Sequence, residues 1–165
     1  MRTLEKAERE LAQGNLWRAK EILQGSLSNA DYNTELFEKY GIVLLKMGDL
    51  PEAGKFLFLC GVRKQEYGEA IGIFLHKYGK NKPHDFFRAL PRTARLATLS
   101  EYPDKVAQKL RDLGLPEVLK SEDGKVIFPS ETSSDVVMWI TCLTIVMVAS
   151  ALIILGLIKL KEILS

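Results

Sequence analysis

Histidine and cysteine are nearly missing from this chain, with two of each among 165 residues. His76 and His84 stand on either side of a Gly/Pro loop, with Asp85 beside the second. That is too few donors for a three- or four-ligand metal centre, so no metal ligand is assigned. Cys60 falls in a helix-like stretch and Cys142 in a long apolar run. Residues in such different settings cannot build a disulfide framework, and Cys60 reads as a small core side chain. No Gly-rich phosphate loop, G-x-S-x-G elbow or H-E-x-x-H pair is present. Many carboxylates precede a base by four residues, as in Glu5–Arg9 and Glu35–Lys39, the spacing of ordinary helix-surface pairs. No catalytic residue and no cofactor are expected, and the chain reads as a non-enzyme. An excess of one charge is also lacking: 23 Lys and Arg face 21 Asp and Glu. That balance argues against a general nucleic-acid binder. The opening residues have no apolar core of the signal-peptide kind.

One apolar run stands out against this. Residues 136–158 carry no charge at all, and thirteen of them are Val, Ile or Leu. As a helix the run is about 34 Å long, enough for a hydrocarbon core of about 30 Å. It predicts a single transmembrane helix near the C-terminus, followed by the short tail 159–165. With no signal ahead of it, the expected topology is a tail anchor with the N-terminal domain in the cytoplasm. Lys159 and Lys161 speak mildly against translocating the tail, and Glu162 offsets part of their charge. Cys142, Ala149 and Gly156 recur every seven residues, a seam of small side chains suited to a parallel homodimer in lipid.

The first sixty residues repeat themselves at an offset of 34. Gly14-Asn15-Leu16-Trp17-Arg18-Ala19 returns as Gly48-Asp49-Leu50-Pro51-Glu52-Ala53, and Leu11 and Leu23 align with Leu45 and Leu57. Each copy reads as helix, Gly-polar turn, helix, with apolar residues at three- and four-residue spacing. Asp31 is a candidate cap for the third helix, and Pro51 suits the first turn of the fourth. The period, the turn and the Ala five residues after each Gly resemble tetratricopeptide repeats. The likeness departs from that pattern where Gly41 replaces Ala7 and where the usual closing Pro is absent. The run Ala53-Gly54-Lys55-Phe56-Leu57-Phe58-Leu59 is also similar to a segment of a small uncharacterised bacterial family of helical proteins. There Arg and Trp commonly stand in the places of Lys55 and Phe56. These resemblances imply a fold and no activity.

After Cys60 the period is lost. Helices are expected over 66–78, 85–90, 92–99 and 104–113, with Gly79 and Gly114 as stops, closing the open face of the two repeats. The predicted fold is all-α: a helical domain over 1–115, a polar linker over 116–135, then the membrane helix. Residues 61–95 hold eight bases and three acids. Lys77, Lys80, Lys82, Arg88, Arg92 and Arg95 are the candidate contact for anionic lipid or an acidic partner. The expected function is a membrane-anchored interaction module that recruits a protein partner to the bilayer. The alternative is a small integral-membrane subunit or effector whose membrane helix self-assembles.

Overall fold

A computed structural model describes residues 2–120 and, beyond them, Leu143, Thr144 and Met147, which are helical and exposed. Most of the run 136–158 therefore lies outside the described residues, as do Cys142, Ala149, Gly156 and the stretch 121–135. Among the described residues no helix is long and apolar enough to cross a membrane. These residues are all-helical apart from turns and one isolated β-bridge.

The 34-residue period is present in the backbone. Helices α1 (Arg2–Ala12) and α2 (Leu16–Leu27) form one hairpin; α3 (Thr34–Lys46) and α4 (Leu50–Leu59) form the next. Gly14 and Gly48 both take φ +80°, a backbone that any Cβ would strain. Around them the same pair of closing bonds forms. The Asn15 amide donates to the Glu10 carbonyl at 2.8 Å and that of Gly14 to Leu11 at 3.1 Å; Asp49 and Gly48 do likewise to Leu44 and Leu45 at 3.0 and 3.1 Å. This is the glycine-terminated helix end that satisfies otherwise orphaned carbonyls. Ala19 and Ala53, the small residue after each turn, are both fully buried.

Helix α4 is the centre of the domain. One side packs on α3, where Gly41 lies so close that an added Cβ would meet the Leu57 side chain at 2.7 Å. The other packs on α5 (Gly68–Tyr78), and there the approach is backbone to backbone. A Cβ on Gly54 would fall 2.0 Å from the Ala70 carbonyl oxygen. Phe58 then meets Phe74 at 5.8 Å and Phe86 at 6.2 Å between ring centroids. Phe86 and Phe87 of α6 (Pro83–Ala89) are buried. Helix α7 (Asp104–Asp112) contributes Val106, Ala107 and Leu110 to the same core.

Several local expectations are corrected. Helix α3 is capped by Asn33, whose side chain accepts from the Leu36 amide at 2.9 Å, and not by Asp31. Gly79 does end α5 as expected, in right-handed geometry with φ −71°. Residues 92–99 are not one helix; they form a 3-10 turn at Arg92–Ala94 and then an extended strand-like stretch. That stretch pairs with residues further on, the Leu99 amide donating to Glu117 at 2.9 Å and the Leu119 amide to Ala97 at 2.7 Å. With Leu119 fully buried, residues 116–120, the first part of the expected linker, belong to the packed domain.

Candidate functional site

Between α5 and α7 lies an open groove of about 760 Å³. Its floor is apolar because α5 turns Ile71 and Leu75 to it on one helical face, while Phe58, Leu99 and Tyr102 close the bottom. Its rim is charged because α7 is strongly amphipathic. Around its buried Val106, Ala107 and Leu110 stand Lys105, Lys109 and Arg111, with Asp104 and Asp112 at the ends. Gln108 donates to Asp112 at 3.1 Å, and Arg111 is held by Glu117 at 3.2 Å.

Arg63 stands at one end of the groove. It donates to the carbonyls of Phe58 and Val62 at 3.3 and 3.2 Å, and its guanidinium lies 5.5 Å from the Phe58 ring. Burial lowers its proton affinity, but far from enough to discharge a guanidinium. The nearby Cys60 thiol is buried, donates to the Leu57 carbonyl at 3.1 Å and is pushed up in pKa by that burial. It is a packed side chain and no thiolate nucleophile. Tyr102 braces the floor, donating to the Ala94 carbonyl at 2.6 Å and accepting from the Leu96 amide at 3.1 Å. Desolvation pushes its phenol up to about 12, so it stays neutral.

Beside this groove, Glu38, Lys64 and Tyr67 form a closed triangle. Lys64 meets the Glu38 carboxylate at 2.8 Å and donates to the Tyr67 hydroxyl at 3.0 Å, which in turn donates to Glu38 at 2.9 Å. The Lys64 hydrogen bond is the main reason the Glu38 carboxyl is held below its usual range.

The basic residues picked out from the sequence divide into two groups. Lys77 lies 5.2 Å over the Tyr78 ring, and Lys80 meets the His76 imidazole at 3.3 Å. Lys82 is the residue before α6. Arg88, Arg92 and Arg95 instead gather around one bend, where Arg95 donates to the carbonyls of Leu90 and Arg88 at 2.9 and 2.6 Å. His84 faces Asp85 at 3.5 Å, and no cluster of three or more metal-binding side chains occurs among the described residues. The groove between α5 and α7 escaped the sequence reading, because it arises where two non-repeating helices meet. Its one local signal is the alternation of apolar and charged residues in α7.

A protein-family model described as a family of unknown function, DUF6584, matches residues 1–162. No curated protein and no solved structure matches the chain.

Proposed function

The chain belongs to that family of unknown function, and we propose that it is a membrane-anchored helical interaction module that recruits a protein partner to the bilayer surface. The observation that carries the reading is the groove between α5 and α7, with its apolar floor and charged rim. A groove of that kind suits the apolar face of a partner helix or peptide, whose anchors enter the floor while polar groups meet the rim. The hairpins α1–α2 and α3–α4 act as a tetratricopeptide-like scaffold that holds α4, and through it α5, in place. Residues 136–158 are read as the anchor, for the length and apolarity already given, with the domain on the cytoplasmic side. Confinement to two dimensions raises the effective concentration of whatever the groove holds. The family match spans both the helical domain and the apolar run, which fits their working as one unit.

Site-specific crosslinking in membranes tests this. A photoreactive side chain at Gln108, on the groove rim, should give a discrete adduct that one at Gln24, exposed on α2, does not. Lys105→Glu with Arg111→Glu should abolish it. The same adducts from both positions, or adducts indifferent to the reversed charges, would remove the groove from consideration.

A further inference from the structure

The corner where the continuous described chain ends has its own chemistry. Arg95 is turned inward onto the carbonyls of Leu90 and Arg88 and so folds residues 88–95 into a tight bend. Arg88 and Arg92 are left exposed on that bend. Lys120 donates to the Arg95 carbonyl and its amide to that of Ala97, which fixes Lys120 beside the same three arginines. A recess of about 530 Å³ opens next to them, lined by Arg92, Thr93, Arg95, Leu96 and Tyr32, with Asp31 as its carboxylate.

We propose that the Arg88–Arg92–Arg95 corner is the face on which this domain rests against an anionic lipid surface, with head-group phosphates or carboxylates held by Arg88 and Arg92. The inference rests on reading residues 136–158 as membrane-embedded. Three observations lead to it. The first is position: the corner holds Lys120, and only fifteen residues of sequence, 121–135, come between it and the apolar run. The second is charge. Arg88 and Arg92 are both exposed, make no ion pair among the described residues, and stand beside a third base, Arg95. The third is shape: guanidinium forks match the oxygens of phosphate and carboxylate, and the recess gives a head group room to enter. An acidic protein segment offers similar oxygens, and the experiment below separates it from lipid. At an anionic surface each such base raises occupancy roughly fivefold.

The test uses the full chain reconstituted into phosphatidylcholine vesicles, with or without phosphatidylserine, and an arginine-directed dicarbonyl reagent read out residue by residue by mass spectrometry. Phosphatidylserine should slow modification of Arg88 and Arg92 roughly fivefold or more, leave exposed Arg18 unchanged, and lose its effect in high salt. Arg88→Gln with Arg92→Gln removes the face and spares the inward Arg95; in that variant Lys120 should become as reactive to an amine reagent with phosphatidylserine as without. Equal arginine rates in both vesicle types, with the protein still recovered in the vesicle fraction, overturn the proposal and leave the anchor standing. Protein that stays in the aqueous phase with both lipids overturns the anchor reading, and the proposal with it. Protection by soluble polyglutamate but not by phosphatidylserine overturns it in favour of an acidic protein partner.

Discussion

The two hairpins share a backbone and almost nothing else. Their turns match bond for bond, yet the second is buried where the first is wet. The positions of Phe37, Tyr40, Val43 and Leu44 in α3 are held in α1 by Thr3, Lys6, Arg9 and Glu10. Gly54, Phe58 and Leu59 in α4 correspond to Lys20, Gln24 and Gly25 in α2. Helix α4 is covered on one side by α3 and on the other by α5, whereas the outer face of the first hairpin meets solvent and carries an exposed Trp17. A repeat's period thus sets its turns, and its place in the stack sets which residues its faces need. The first hairpin serves as the polar cap of a stacked array.

The largest effect should come from position-matched truncations. Phe58→Ala removes a fully buried ring in contact with Phe74 and Phe86, and should cost about 3–5 kcal/mol. Gln24→Ala, its counterpart one repeat earlier, should change stability by no more than about 0.5 kcal/mol. Urea unfolding of both variants measures the difference. Similar losses would show that the first hairpin is as enclosed as the second.

Two glycine replacements sharpen the contrast next. An alanine at Gly54 has nowhere to put its methyl except against the Ala70 carbonyl. Separating α4 from α5 should cost about 1–3 kcal/mol, more than the gain of about 1 kcal/mol in helix propensity. Gly25 in α2 has nothing within 4 Å of a built Cβ. There Gly25→Ala should raise stability by roughly 0.5–1 kcal/mol. Opposite signs in paired thermal melts are the expected outcome.

A third pair tests likeness. Ala19 and Ala53 are fully buried at equivalent points, and leucine at either should overpack its contact by about 1–3 kcal/mol. If only Ala53→Leu destabilises, the equivalence stops at the turn backbones.

How much of this is legible in the sequence depends on the range of each cause. The hairpins are readable because their signals are local: a glycine at a left-handed turn, an Ala five residues on, an apolar stripe. The Asn33 cap is missed although it is local, because Asp31 two residues earlier is as good a candidate. Tyr32 between them is drawn inward, edge-on to Phe37 at 5.1 Å and to Tyr102 at 5.4 Å, and that tertiary pull sets where α3 begins. The bond from Leu119 back to Ala97 is invisible, since no periodicity announces a pairing over that distance. The groove between α5 and α7 is of the same kind. Arg88, Arg92 and Arg95 are visible as charges, but the inward turn of Arg95, which separates it from the other two, is not.

The smallest effect concerns an ion pair that fastens the second hairpin to the start of the non-repeating half. Glu38 of α3 meets Lys64 and Tyr67, and the same position in α1 is Leu4, so the first hairpin has no equivalent. The Glu38 carboxyl is held below its ordinary value, first by the Lys64 hydrogen bond and then by that of Tyr67 against an opposing desolvation. A group whose pKa is lower folded than unfolded stabilises the fold above its unfolded value. That contribution fades as the pH falls through the lowered folded value. The Glu38 side chain is 21% exposed and that of Lys64 49%, so solvent screens the pair and keeps its contribution small. Urea midpoints should therefore fall more steeply for wild type than for Glu38→Gln between neutral pH and the acid side of the carboxylate range. Wild type should be the more stable of the two only at the neutral end. Parallel pH profiles would show that the triangle of Glu38, Lys64 and Tyr67 forms without stabilising the fold, and that packing alone joins the second hairpin to α5.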